Sequence, residues 1–450
     1  MADLPDLMNP QRARLFPILA DTSKEGRTLS IFLATLTFVR GFSQNLFNSI
    51  NQRIGSTTII STYTEVNFNN LTDKKLGRPD GLIVLETGKR TWSALVEAKV
   101  GKSEISNDQL ERYLDIAKSK KIDAVITISN QFATVPDHHP VKIISTKFKG
   151  IGLYHFSWMQ IMTVARLLTA NQDIEDEEQA NILKEFLRFI SHPSAGVEGF
   201  SQMPKAWSAV CALVQAGGKL VRNDDLNAVV EAWQQETKDL SLILSRQLGT
   251  FVREKLSRAE SSSPGAKFES DVKELVSKQA LAINLDVPDA ASPLSVIVDL
   301  RRRSILNSMY VKAPGDKVSN KARLNWLLRQ IPKQADSKAH IRMYWPGSSP
   351  TTQLPLSDLR ENPDRIGEDK GKMTVVGFDV IMPVDLGNRF GQTRTIIQEL
   401  ETSVPHFYES VGQHIRQWAP PPPKLSQERV SPETVSPNTI SENTNSIEAE

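Results

Sequence analysis

Two carboxylates and one amine stand close together in GRPDGLIVLETGKRTWSALVEAKVGKSEISNDQLERY, the stretch from Gly77 to Tyr113. Asp80 opens one apolar run, and Glu97 and Lys99 sit inside the next. Thr87-Gly88-Lys89 between the runs has turn composition, which makes them two strands of a hairpin. Residues two apart on a strand face the same side, so Glu97 and Lys99 share a face while Ala98 points to the other. Asp80 follows Pro79 at the start of its strand, where a side chain reaches the sheet edge. Two hard carboxylates next to an ammonium group suit Mg²⁺ or Mn²⁺ and the setting of water against a phosphate ester. Lys99 would position or activate that water, or stabilise charge growing on the phosphate, with Glu97 helping to keep it protonated. Singly these signals carry little, since E-x-K on a strand is ordinarily a surface ion pair and P-D a turn. Placement on adjacent strands ahead of a helix gives them their weight.

The elements that must position these residues follow from periodicity. Leu29, Phe32, Leu33, Leu36, Val39 and Leu46 recur near 3.6-residue spacing, predicting a helix from Leu29 to Ile50. Thr57 to Phe68 is rich in β-branched residues and reads as a strand, followed by the hairpin Asp80–Glu86 and Trp92–Val100. Apolar content on both faces of that hairpin predicts cover on both sides. Ser106 to Ser119 reads as a helix and Ile122 to Ile128 as the next strand, with another at 150–155. A strand–helix–strand unit implies a right-handed crossover, hence parallel pairing of 92–100 with 122–128. The order is then helix, three strands, helix, strand. Trp158–Leu168 and Asp176–Ile190 add two helices.

Pro79-Asp80 followed by Glu97-Ala98-Lys99 resembles the motif of the PD-(D/E)XK, or restriction-endonuclease-like, nuclease superfamily, whose core order is αβββαβ. Gln109 and Tyr113 resemble the Q-x-x-x-Y signature of its RecB-like branch. The resemblance spans roughly residues 20–170. It implies an α/β restriction-endonuclease-like fold in this part of the chain. It also implies metal binding by Asp80, Glu97 and the Ala98 carbonyl, a catalytic Lys99, and Gln109 and Tyr113 near the substrate. Both latter residues have structural alternatives: Ser106-x-x-Gln109 matches a capping box, and Tyr113 lies beside Leu110 and Leu114 as a core residue would. Many members also use an early acid. Glu65, on a predicted strand, is favoured over Glu25, which sits ahead of the first helix where a negative charge suits the helix terminus.

The remaining chain is less specific. A mainly helical region is expected over 196–290, after a boundary at His192–Gly196, with a polar loop at Ser261–Gly265. An α+β region is expected over 291–418, with strands around Arg301-Arg302-Arg303, a helix at Asn320–Ile331, strands near 340–345 and 373–383, and a helix from about 394 to 417. The first domain is then 1–195, and the tail 419–450, opening APPPPK, has disordered composition. Residues 301–333 hold nine Lys or Arg against one acid, Asp316. Arg301, Arg302, Arg303, Lys321 and Arg329 are the candidates for a nucleic-acid backbone, with a solvated face as the alternative.

Composition sets the outer bounds. The 450 residues carry 54 basic and 52 acidic side chains, so only local charge speaks for nucleic acid. One cysteine, Cys211, excludes an intrachain disulfide and cysteine-rich zinc sites and fits a reducing cytoplasm. There is no P-loop motif, no nucleophile elbow and no stretch apolar enough for a membrane. Asp137-His138-His139-Pro140 has no third ligand at metal spacing and reads as a surface loop. The expectation is a cytoplasmic, Mg²⁺- or Mn²⁺-dependent nuclease acting on DNA, with a homodimer or protein partner engaged through the C-terminal region. The competing readings are a nucleic-acid-binding or regulatory protein on the same fold, and a protein-interaction scaffold.

Overall fold

The computed structural model describes residues 11–13, 15, 24–68, 78–141, 148–333 and 338–420. The expected tail lies almost wholly outside these residues. Up to Trp418 the chain is one unit of mixed α/β structure built on two sheets.

The first sheet has six strands in sequence order: β1 (Gln11–Arg12), β2 (Ile59–Thr64), β3 (Gly81–Thr87), β4 (Arg90–Ala98), β5 (Ala124–Ser129) and β6 (Gly152–Ser157). β2, β3 and β4 pair antiparallel, then β5 and β6 continue in parallel. The expected strand–helix–strand crossover is present, with α3 (Asn107–Lys120) between β4 and β5. Both faces are covered. Ile83, Leu85, Ala94, Val96, Ile126 and Ile128 pack on one side against α1 (Lys24–Phe38), α2 (Arg40–Asn48), α4 (Trp158–Ala170) and α5 (Glu177–Ile190). Leu82, Val84, Leu95 and Val125 pack on the other against Leu110, Leu114 and Ala117 of α3. The single helix expected over 29–50 is two, broken at Val39, whose extended φ −112°, ψ 94° interrupts the helix before Arg40.

The second sheet has seven antiparallel strands in the order β12-β11-β13-β10-β9-β8-β7. These are β7 (Arg253–Glu254), β8 (Ala280–Asp286), β9 (Leu294–Asp299), β10 (Ser304–Lys312), β11 (His340–Tyr344), β12 (Thr352–Pro355) and β13 (Gly377–Asp385). One face contributes Leu281, Ile283, Val296, Val298, Ile305, Met309, Ile341, Phe378 and Val380 to a single core. That core is completed by α6 (Ala206–Gln215), α7 (Asp224–Leu248), α9 (Pro264–Lys278), α10 (Asn320–Leu328), α11 (Leu356–Glu361) and α12 (Thr393–Ser410). The short α8 (Arg258–Ser262) precedes α9. Two expectations change here. The polar segment Ser261–Gly265 is mostly helical: Ser261 and Ser262 end α8, and after Ser263 Pro264 opens α9 at its first turn, where its missing N–H costs nothing. The boundary expected at 290 falls inside this sheet, since Leu281 to Leu285 of β8 pair with Val298 to Leu294 of β9.

Asp137-His138-His139-Pro140 is a loop, as expected, but only Asp137 is exposed: His138 is buried, and His139 packs at 76° against His155 of β6. Thr127 of β5 stands between the two rings, its Oγ1 2.7 Å from His139 Nε2 and 2.7 Å from His155 Nδ1. The Val141 N–H donates to His139 Nδ1, so His139 carries its proton on Nε2 and donates to Thr127. His155 Nε2 donates to the Gln131 carbonyl at 2.8 Å, leaving its Nδ1 to accept from the Thr127 hydroxyl. Every ring nitrogen is thereby satisfied in the neutral form.

Burial pushes His139 down to about 4, and burial with the neighbouring His139 pushes His155 down to about 3. The unfolded chain takes up these protons near pH 6.5, before the folded one does, so stability is present above about 6.5 and is lost as pH falls. In denaturant unfolding between pH 6 and 4, a His155→Gln variant will show a shallower loss than the wild type. The difference approaches about 1.4 kcal/mol per pH unit, the value for one proton. Identical slopes would mean that His155 is already free to ionise.

Candidate functional site

Strand register brings the acidic residues together. Gly81 pairs with Val96 across the β3–β4 hairpin, which sets Asp80, one residue earlier, beside the end of β4. Asp80 Oδ2 accepts from the Ala98 N–H at 3.1 Å. Glu97 is 1% exposed and faces α3, while Ala98 points into the opposite core. Lys99 follows on the same strand end, its N–H donating to Ile128 O at 2.8 Å and its carbonyl accepting from Trp158 Nε1 at 2.8 Å. The third acid arrives on a helix. Gly81 lets α1 come close, since a Cβ there would lie 2.9 Å from Leu33 Cδ1 and 3.2 Å from the Tyr63 carbonyl. The first turn of α1 then carries Glu25 to Lys99, with Nζ 2.9 Å from Oε1. Carboxylate oxygens of Glu25, Asp80 and Glu97 all lie within 4.8 Å of one another.

Lys99 is what makes this crowding tolerable. Its ammonium contacts Glu97 Oε1, Glu25 Oε1 and, at 3.2 Å, the Ala98 carbonyl. Burial alone would lower the Lys99 pKa, but hydrogen bonds and charge attraction from Glu97 and Glu25 outweigh it and hold the ammonium above its ordinary range. Asp80 moves the other way. Burial first, then the Glu97 charge, pushes its carboxyl up to about 8.

Helix α3 supplies the remaining parts. Gln109 Nε2 donates to Glu97 Oε1. Only half of the expected capping box forms, because the Ser106 hydroxyl accepts from Gln109 N while the glutamine side chain turns to Glu97 instead. Tyr113 is both core and site: its ring is buried, and its hydroxyl donates to the Arg78 carbonyl at 3.2 Å, two residues before Asp80. Burial, then the Glu97 and Asp80 charges, holds that phenol protonated, well above its usual range.

Glu65 is not in the cluster, which corrects the sequence expectation. Its N–H pairs with the Asp80 carbonyl, so its backbone borders the site. Its φ of 54°, however, turns the side chain outward to an ion pair with Arg78, where it is 54% exposed. Glu25 takes the place expected of it. The basic candidates also fail to gather. Arg301, Arg302 and Arg303 occupy the β9–β10 turn, bonded or paired to Gln279, Asp299 and Asn388. Asn320, beside Lys321, is pinned to Met373 and Val375 near the other end of β10. Nine strand residues, about 30 Å, separate the two groups. Lys321 is committed to Asp364 and Arg329 to its own helix at Asn325 O.

No family profile, curated protein or solved structure matches this chain. No helix among the described residues is long and apolar enough to cross a membrane.

The donor set fits a hard divalent cation. Three carboxyl groups converge, the Ala98 carbonyl is joined to them through Lys99 Nζ, and Glu97 Oε2 is buried with no partner among the described residues. Such an oxygen is costly unless something positive satisfies it. Because Gln109 orients the ligand from outside, Gln109→Leu will weaken Mn²⁺ binding by calorimetry about 10- to 100-fold, the usual effect of removing a supporting hydrogen bond. Unchanged affinity would show that Glu97 is positioned without it.

Proposed function

We propose that the chain is a metal-dependent nuclease that hydrolyses DNA phosphodiester bonds on a restriction-endonuclease-like core. The observation that carries this reading is the convergence of Glu25, Asp80 and Glu97 on one point, with the Lys99 ammonium in contact. Element order supports it too: α1 and α2 precede β2, β3 and β4, which are followed by α3 and β5. Cytoplasmic placement agrees with a lone cysteine that is buried and unpaired.

Asp80, Glu97, Glu25 and the Ala98 carbonyl would hold Mg²⁺ or Mn²⁺, which when bound polarises phosphate oxygen and lowers the pKa of coordinated water. The chain's own residues do the rest. Lys99, whose ammonium Glu97 and Glu25 favour, would position or activate water and stabilise negative charge growing on the phosphate. Gln109 fixes the Glu97 carboxylate, and Tyr113 fixes the backbone that presents Asp80. The Trp158 bond to the Lys99 carbonyl fixes the backbone from which the lysine side chain extends.

The test combines cleavage and binding on purified protein. Mg²⁺ or Mn²⁺ will support cleavage of DNA and raise the melting temperature. Asp80→Asn will abolish cleavage and remove the metal-induced melting shift. Lys99→Ala will lose about 10²–10³ in rate, the scale of losing one stabilising donor, while keeping the metal shift. A wild-type protein that takes up neither metal, or cleavage that survives Asp80→Asn, would defeat the proposal.

A further inference from the structure

A groove of about 230 Å³ opens two residues beyond Lys99, starting at Gly101. Two residues of chain span at most about 7 Å, roughly two stacked base steps of ~3.4 Å. The groove lies at the carboxyl ends of β4 and β5, where crevices in α/β sheets take ligands. Its floor is rigid. Asn130 Nδ2 donates to the carbonyls of Gly101 (3.0 Å) and Gly196 (2.9 Å), while its Oδ1 accepts from Glu198 N. Across from it, Phe200 N is held by Asp239 Oδ2 at 2.7 Å.

The lining decides the ligand class. Lys102 and Glu104 offset each other, and the other walls are the amides of Gln131, Gln202 and Gln235, hydroxyls, and Phe200. A phosphate asks for excess positive charge, which this groove lacks. A nucleobase asks for groups that both donate and accept, plus an apolar surface for its ring. Gln131 has capacity to spare: its backbone is fixed by Ser129 and His155, yet its Oε1 is buried with no partner among the described residues. The volume is below the roughly 300–1,000 Å³ of pockets that take drug-sized ligands, so it suits one base and not an intact pair. Gln131 and Gln235 also line a neighbouring cavity of about 420 Å³, where Arg222 and Lys267 are already paired with Glu269 and Asp271.

We propose that this groove is a subsite for one unpaired nucleobase of a single-stranded polynucleotide, adjacent to the phosphate held at the carboxylate cluster. This deepens the nuclease reading and rests on it for the position of that phosphate. Selectivity would come from the Gln131 and Gln235 amides, with Phe200 offering a ring for stacking.

Binding without turnover tests it. A fluorescein-labelled single-stranded DNA, its duplex, and the same strand with abasic central positions are titrated with full-length protein in Ca²⁺. The intact strand will bind about tenfold or more tighter than either competitor, within the range measured for base stacking. Gln131→Leu will narrow that gap at unchanged melting temperature, since Gln131 Oε1 makes no bond among the described residues and a purely structural role predicts no effect; Phe200→Leu, whose ring also packs on the second core, will narrow it while binding of the abasic strand is retained. Equal binding of all three DNAs, insensitivity to both substitutions, or no DNA binding at all would overturn the subsite. The nuclease reading is scored separately: Mg²⁺-dependent cleavage with no single-strand preference sinks only the subsite, while base-sensitive binding without cleavage sinks only the hydrolytic reading.

Discussion

Asp80, Glu97 and Glu25 bring three carboxyl groups into a space where one oxygen of each lies within 4.8 Å of the others'. Burial and, after it, the neighbouring Glu97 charge both disfavour the ionised form of Asp80, and its raised pKa is the mark of them. The register of β3 on β4 forces the first two together, and the approach of α1 over Gly81 adds the third. Lys99 and Gln109 are the protein's partial compensation. What remains uncompensated is the capacity of the site to take positive charge. The sheet, its two covers and the caps on α3 hold this electrostatic conflict in one geometry.

The hairpin and its crossover were legible in sequence because short-range signals specify them. Thr87-Gly88-Lys89 gives the turn, alternation gives the faces, and a strand–helix–strand order gives parallel pairing. Asp80, Glu97 and Lys99 therefore came together as spacing implied. Glu25 was harder to see. It lies 55 positions before Asp80 and reaches it only through packing of α1 on the sheet, which no local pattern encodes. Glu65 had strand-like neighbours, but the strand ends at Thr64 and a left-handed residue follows. A side chain at such a place follows the turn and not the pleat.

In the second half, β8 alternates in plain form, with Leu281, Ile283 and Leu285 inward and Asn284 and Asp286 exposed. It was submerged in a stretch dominated by helix signals. The excess of positive charge over 301–333 was real in composition, yet charge counted along a chain says nothing about distance. A turn and a helix at opposite ends of one long strand do not make a common surface. Similarly, His138 and His139 do lie in a loop, but their burial was hidden because the partners of His139, Thr127 and His155, come from two separate strands.

The segment from Gly196 to Phe200 has a bearing on how this molecule can be dissected. Gly196 O receives the Gly101 N–H and the Asn130 amide, and Phe200 N is anchored on α7 through Asp239. Lys238 and Arg246 of α7 reach Thr134 and Thr163 of the first half. A fragment ending near residue 195 would keep Glu25, Asp80 and Glu97 while shedding the braces behind Lys99 to Gly101. Weak behaviour of such a shortened protein would then report the missing scaffold, and would be a poor guide to the chemistry of the whole.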